Sequence, residues 1–392
     1  MYNDHMEKFR VAFTGGGSGG HIYPLIAVAE ALQRRLSALV APAEFHYLGP
    51  RDAYSALLAE KGVMMHPIAS GKVRRYASAD NFLDAPKFVI GFFQALWEFY
   101  FIMPDVVFSK GGTGAFPVVV AAWFYRIPVA IHDSDAQPGL TNRASARFAT
   151  RVFLTFPRAA AFFDPQRTMV VGAPLRTELL SDPVERGAAK EIMGFDKTRP
   201  LTLVLGGSQG AQRINEFVLA NLPQFVAETQ VLHQAGVANF AEVEKLSKAA
   251  LQDLPPESFR YVPVAYLSGE QGNDMATALA AADLVVARSG SSVCELARFG
   301  LPAILVPLAE SANDHQRIDA YEFADAGAAI VIEEENLLPG IFFSELKKII
   351  EDNDLRMRMS AASTKFFIPG AAEKIAEELI GMSVRHPYPL TT

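Results

Sequence analysis

Short runs of Val, Ile, Leu and Phe alternate along this chain with longer stretches whose apolar residues recur at helical spacing, the pattern of buried strands separated by helices. In the first half VVF (106–108), PVAIH (128–132), RVFLT (151–155) and MVVGAP (169–174) read as strands; in the second, TLVLG, TQVLHQ, ADLVVARSG and PAILVP repeat the style. Alternation of this kind predicts an α/β fold with doubly wound parallel sheets. Two of the runs end in glycine-rich turns that open helices, FRVAFTGGGSGGHIYP at 9–24 and PLTLVLGGSQGAQRIN at 200–215. Strand, tight turn and helix together aim backbone N–H groups and the positive end of a helix dipole at one point, where an anion such as phosphate is favoured. Two such turns, each opening its own segment, predict two domains serving phosphate-bearing ligands. We read residues 1–172 as the first domain, 173–370 as the second, and 371–392 as a C-terminal helix and tail that can pack back on the first. The junction is expected in the more polar stretch near Gly172 to Pro183.

Composition narrows the function. A length of 392 residues with 50% hydrophobic content suffices for two buried cores. A net charge of −7 argues against a general nucleic-acid binder, whose affinity comes from accumulated Lys and Arg. Cys294 alone permits no intramolecular disulfide and no cysteine-based zinc site, which suits a reducing compartment. The stretch MYNDHMEKFR has no apolar core, so no secretory leader is expected and the chain is expected in the cytoplasm. The first turn also fits G-x-G-x-x-G through Gly15, Gly17 and Gly20. The following strand EFHYLGP ends in Leu48, Gly49 and Pro50 rather than in an acidic residue for an adenosine ribose, and Asp52 reads as a helix cap, which counts against NAD.

TGGGSGGHIYP, SKGGTGAFP, the Gly-Leu-Thr-Asn of HDSDAQPGLTN, VGAPLRT, LGGSQGAQRIN, HQAG, ADLVVARSG, GLPAILVP and DHQ stand in the order found in the MurG family. From about residue 9 to 370 the chain resembles that family, the bacterial UDP-N-acetylglucosamine (UDP-GlcNAc) transferases that complete lipid II. The resemblance implies a GT-B fold, two Rossmann-like domains facing across a cleft, with the acceptor on the N-terminal domain and the nucleotide sugar on the C-terminal one. It implies an inverting, metal-independent transfer of GlcNAc to the 4-hydroxyl of MurNAc in undecaprenyl-pyrophosphoryl-MurNAc-pentapeptide (lipid I). UDP-GlcNAc is then a substrate, and no cofactor is implied. Implied partners are lipid I, the inner face of the cell membrane, where the enzyme would be peripheral, and other proteins of cell-wall synthesis, but no nucleic acid. A GT-B enzyme with another acceptor, a UDP-sugar epimerase, or a non-catalytic UDP-GlcNAc-binding scaffold would share much of this pattern.

Displacing UDP leaves a diphosphate that gains negative charge, so fixed positive potential is needed where it forms. The loop Gly206–Gly210, with the Ser208 hydroxyl, Gln209 and the helix behind it, can supply it, and Arg288 is a second source. Arg288 precedes a helix start, where the dipole disfavours a cation, so an anionic partner is expected. By resemblance, Arg176 of VGAPLRT faces the nucleotide, a hinge ion pair being its alternative, and Ser18, Gly19 and Ser289 join the donor set. Glu295 matches the glutamate that accepts both uridine ribose hydroxyls, a role suited to an ionised carboxylate, although an acid in a first helical turn also serves the dipole. The loop from Gly290 to Glu295 is one residue shorter than the commonest family spacing. Gln316 of NDHQR matches the glutamine that reads GlcNAc hydroxyls.

Acceptor activation needs a base. His21, directly after the first glycine loop, is the first candidate, the alternative being a structural hydrogen-bonder. Gly16, Gly17, Gly20, Lys110, Gly111, Gly112, His132 and Asp135 complete the acceptor set implied by resemblance. Asp133 and Asp135 spell the D-x-D of metal-dependent GT-A enzymes, but the family usually reads His-Glu-Gln-Asn here, so no metal is expected. The Asn-to-Asp change adds a carboxylate that can serve as base or as an orienter of His21. Ala173 and Asp319 also depart from the usual asparagines.

KFVIGFFQALWEFYFIM (87–103) is rich in aromatics, yet Gln94 and Glu98 interrupt it and it falls short of the roughly 20 apolar residues a bilayer span needs. With Lys72, Arg74 and Arg75 nearby and Trp123, Phe124 and Tyr125 beyond, it suits contact with an anionic membrane surface. Phe92, Phe93, Trp97 and Tyr100 are the expected insertion residues, with burial in the core the alternative.

Overall fold

The computed structural model describes residues 8–16, 18–51, 54–70, 79–112, 114–206, 210–255, 258–267, 274–309, 311 and 314–383. It has two compact units, Met1–Arg176 with Ile368–Thr392, and Thr177–Phe367. Among the described residues the first unit holds a parallel sheet of β1 (Phe9–Thr14), β2 (Ala43–Gly49), β3 (Met64–Pro67), β4 (Val106–Ser109), β5 (Val129–Asp133), β6 (Arg151–Leu154) and β7 (Thr168–Val170), in the order β3-β2-β1-β4-β5-β6-β7. The second holds β8 (Leu201–Leu205), β9 (Gln230–Gln234), β10 (Tyr261–Val264), β11 (Leu284–Ala287), β12 (Ala303–Leu305) and β13 (Ala329–Val331), ordered β10-β9-β8-β11-β12-β13. Both sheets are doubly wound. Each reverses its strand order beside its first strand, between β1 and β4 and between β8 and β11, and the crevice outside the carboxyl ends at such a reversal is where open α/β sheets bind ligands.

The central strands are apolar on both faces because helices cover both. In the first unit Val11, Phe13 and Phe108 pack against helices Gly19–Ala38 and Ala371–Gly381, while Ala12, Val107 and Val129 face Ala79–Ile102 and Ala115–Phe124. The C-terminal helix inserts Ile375, Leu379 and Ile380 into that first core, with Arg34–Glu373 (2.9 Å) at its rim. Where the sequence reading placed its boundaries after residues 172 and 370, the units exchange at 176/177 and 367/368. Leu175 is still buried, and the Arg176 guanidinium lies 4.8 Å from the centre of the Tyr23 ring, which keeps this segment with the first unit. Gly172 has φ +86°, and a Cβ there would come within 2.8 Å of Ile368, so the outgoing and returning chains pass at a glycine.

The strands β3, β10 and β13 were not anticipated. All three are edge strands of only three or four residues and are mostly half-exposed, although β10 (YVPV) and β13 (AIV) are apolar in sequence. The aromatic segment forms the second half of helix Ala79–Ile102. Its polar interruptions tie the helix to the sheet edge: Gln94 Oε1 accepts from the Ala69 amide (2.7 Å), and Glu98 Oε2 bonds His66 Nδ1 (2.7 Å), whose Nε2 shares a hydrogen bond with His46 Nδ1 (3.1 Å). With that side docked, Phe93, Trp97, Tyr100 and Phe101 are left 62%, 66%, 64% and 63% exposed. Phe92, expected on the same surface, is instead half-buried and packs on the core, because it lies on the Ala95–Phe99 side of the helix.

Candidate functional site

In the first unit the loops after β1, β4 and β5 carry most of the residues proposed for the acceptor. Gly16 has φ +141°, and Gly111 and Gly112 have φ +80° and +81°, backbone that side chains rarely adopt. A Cβ on Gly112 would sit 2.5 Å from the Gly16 carbonyl oxygen and 3.2 Å from His21 Nε2, so the two glycine loops and the imidazole meet at backbone distance. Tyr47 Oη pins the first loop by donating to the Gly15 carbonyl (2.6 Å). Ser18 stands at the N-cap of helix Gly19–Ala38, but its hydroxyl bonds His21 Nδ1 (3.0 Å) rather than a helix amide. That contact orients the half-buried ring, while Gly19 and Gly20 begin the helix whose leading amides lack intrahelical partners by construction. Gly17 lies outside the described residues.

Lys110 is buried at the end of β4, and its Nζ donates to Ser134 Oγ (3.0 Å). Ser134 Oγ donates to Asp135 Oδ1 (3.2 Å), and the Asp135 amide donates to Asp133 Oδ1 (3.0 Å). Asp133 also accepts from Asn142 Nδ2 (2.9 Å). Burial, and then the neighbouring Asp135 charge, push the Asp133 carboxyl up to about 6. His132 does not reach the surface. It is buried completely, with Nε2–H donating to the Gly172 carbonyl (3.0 Å) and Nδ1 without a partner among the described residues. Burial, and secondarily the Lys110 charge, lower its ring to about 3, so it is a neutral link between β5 and the chain leaving the unit. Its expected place in the acceptor surface is therefore corrected.

In the second unit the loop after β8 keeps Gly206 N bonded to the Gln234 carbonyl (3.0 Å) and turns through Gly210 at φ +80°, where a Cβ would strike Asn239 at 2.1 Å. Ser208 and Gln209 lie outside the described residues. Arg288, at the end of β11, has an anionic partner of the protein's own: Nη2 pairs with Glu334 Oε1 (2.5 Å) while Nη1 donates to the Val306 carbonyl (2.9 Å). The sequence offered no signal for Glu334. Ser289 is buried, its hydroxyl donating to the Gln316 carbonyl (2.6 Å), and Gln316 Oε1 accepts from the Leu308 amide (3.1 Å), with no hydrogen bond to its amide nitrogen among the described residues. Glu295 is half-buried in the first turn of helix Ser292–Arg298. A cavity of about 220 Å³ lined by Leu308, Asp314, Arg317 and Glu333 to Glu335 adjoins Glu334 and the Leu308 amide. Arg176 forms its cation–π contact with Tyr23 within the first unit, a partner that neither the nucleotide nor the hinge-pair reading anticipated.

Two doubly wound units, each with a glycine turn and charged side chains at its strand-order reversal, make the Rossmann-like architecture of GT-B proteins, and the family models place the chain among the glycosyltransferases. Residues 11–154 match the glycosyltransferase family 28 N-terminal domain and residues 201–375 the family 28 C-terminal domain. The chain is 33% identical over 349 residues to UDP-N-acetylglucosamine–N-acetylmuramyl-(pentapeptide) pyrophosphoryl-undecaprenol N-acetylglucosamine transferase 2 of Bacillus cereus, covering 88% of this chain and 93% of that one. It is 35% identical over 348 residues to the corresponding transferase of Legionella pneumophila, covering 88% and 90%. The crystal structure of Acinetobacter baumannii MurG superposes with a TM-score of 0.73 at 26% identity, over 95% of this chain and 99% of that one. The chain belongs to the MurG family of glycosyltransferases.

Proposed function

We infer that this chain transfers GlcNAc from UDP-GlcNAc to the 4-hydroxyl of the MurNAc sugar of lipid I, forming lipid II. The observation that carries the reading is the repetition of one device, a glycine turn at the strand-order reversal of each unit, in a chain of this family. In the reaction the acceptor oxygen attacks the anomeric carbon, its proton passes to a base, and the bond to UDP breaks with inversion. His21, held by Ser18, and Asp135 are the groups we assign to the acceptor hydroxyls. The departing diphosphate is met by the loop beginning at Gly206, by the leading amides of helix Gln212–Ala220 and by the remaining donors of Arg288. Because Glu334 balances its charge, Arg288 contributes chiefly directed hydrogen bonds. Glu295 accepts from the ribose and Gln316 donates to the sugar. No step in this route calls on a divalent metal or a cofactor.

Among the described residues no helix is long and apolar enough to cross a membrane. We assign the exposed face of Phe93, Trp97, Tyr100 and Phe101, with Trp123 and Phe124 56% and 62% exposed on helix Ala115–Phe124, to peripheral contact with the cytoplasmic leaflet that holds lipid I. Lys72, Arg74 and Arg75, proposed to assist, lie outside the described residues. Incubation with UDP-GlcNAc and a lipid I analogue, with and without EDTA, tests the function: release of UDP coupled to disaccharide formation, undiminished by chelation, is expected. UDP-GlcNAc binding without transfer, or transfer restored only by added magnesium or manganese, overturns it.

A further inference from the structure

Lys110 is 2% exposed, and a cation on so deep a side chain requires compensation. Two carboxylates lie near it: its charge acts on Asp133 through space, and a hydroxyl connects it to Asp135. Asp133, 1% exposed, takes its hydrogen bonds from neutral groups, the amides of Asp135 and Gly139 and the side chain of Asn142. Asp135 is linked to the ammonium through Ser134. A hydroxyl has one hydrogen, and here it goes to Asp135 Oδ1 while the oxygen accepts from Lys110, so the bridge runs in one direction. An O–H polarised by a cation binds a carboxylate more strongly than an ordinary hydroxyl does. Asp135 is half-exposed, and its Oδ2 has no hydrogen bond from the described residues. One oxygen is anchored and the other is open.

We propose that Ser134 is a positioning residue: by bridging Lys110 to Oδ1 it fixes the Asp135 side chain so that Oδ2 accepts a hydrogen bond from a sugar hydroxyl of the acceptor. The proposal rests on the reading of this unit as the acceptor side. Among the described residues, the charged and titratable groups around the bridge include Lys110 at the end of β4, with Asp133 and the neutral His132 on β5.

Ser134→Ala removes the bridge at a half-exposed position, and Ser134→Thr keeps the hydroxyl. With the lipid I analogue, Ser134→Ala is expected to raise KM for the acceptor roughly tenfold while kcat and KM for UDP-GlcNAc stay near the wild-type values. Ser134→Thr should restore the acceptor KM. In an Asp135→Asn background Ser134→Ala should cost nothing further, because the two residues act through one interaction. Equal losses in the two backgrounds, or an unchanged acceptor KM, overturn the proposal. Carboxyl-carbon NMR provides a readout that does not depend on turnover: the Asp135 resonance, identified by its loss in Asp135→Asn, should change its chemical shift in Ser134→Ala and return toward the wild-type position in Ser134→Thr, and an unmoved resonance refutes the bridge. A wild type that binds UDP-GlcNAc and does not transfer refutes the functional reading instead, and leaves the NMR result to decide the bridge.

Discussion

Acidification should destabilise the first unit through His132, and the size of the effect follows from its burial. In the unfolded chain the ring takes a proton below its ordinary value of 6.5; in the folded unit it resists down to about 3. Between those limits the unfolded state binds more protons, so the stability conferred by the neutral ring is complete above 6.5 and is lost as pH falls. At about pH 5 the loss from this ring is on the order of 2 kcal/mol. His46, lowered to about 4 by burial and then by the His66 charge, adds a loss of the same sign. Asp133 opposes them: raised to about 6, it favours the folded state as pH falls through that value, by roughly 1 kcal/mol at about pH 5. Both tryptophans, Trp97 and Trp123, belong to the first unit, so their fluorescence in a urea titration follows that unit alone. A His132→Gln variant retains a side-chain donor for the Gly172 carbonyl but cannot titrate. Its own cost at neutral pH cancels in the difference between its pH dependence and that of the wild type. The wild type should lose about 2 kcal/mol more than the variant between about pH 7.5 and 5. Equal losses in the two proteins would refute the claim that buried His132 carries the acid sensitivity.

Glu295→Ala should lower kcat/KM for UDP-GlcNAc by roughly 10- to 100-fold with circular dichroism unchanged, since hydrogen bonds to a charged acceptor are worth about 1.5–3 kcal/mol and water replaces some of them; wild-type kinetics would leave Glu295 as a helix-dipole residue only. His21→Ala should reduce kcat by about 100-fold with a smaller effect on UDP-GlcNAc binding, and a defect confined to donor binding would remove His21 from the acceptor chemistry. Replacing Phe93 and Trp97 by Asp should cut partitioning onto anionic liposomes by more than about tenfold while turnover of a water-soluble acceptor persists. Sedimentation with vesicles checks this, and undiminished binding would move the docking surface elsewhere.

Local signals carried far in this chain. A strand that runs into glycines and then a helix is contiguous, so the turns at Gly15–Gly20 and Gly206–Gly210 and the central strands beside them were legible from residue order, and the ordered motifs pointed to the family. Of the edge strands β7 was legible in MVVGAP, whereas β3, β10 and β13 were not, because three or four residues are too few to separate a strand from a loop by periodicity. Which aromatics face outward was also undecided until Gln94 and Glu98 found partners at the sheet edge; adjacent residues such as Phe92 and Phe93 then took opposite fates from a 100° turn of the helix. The polar networks lay further still beyond the sequence. Lys110 meets Ser134 across 24 positions, His132 meets Gly172 across 40, and Arg288 meets Glu334 across 46. A buried charge or imidazole must be satisfied by whatever the fold brings near it, and only the packing of strand ends decides which residue that is.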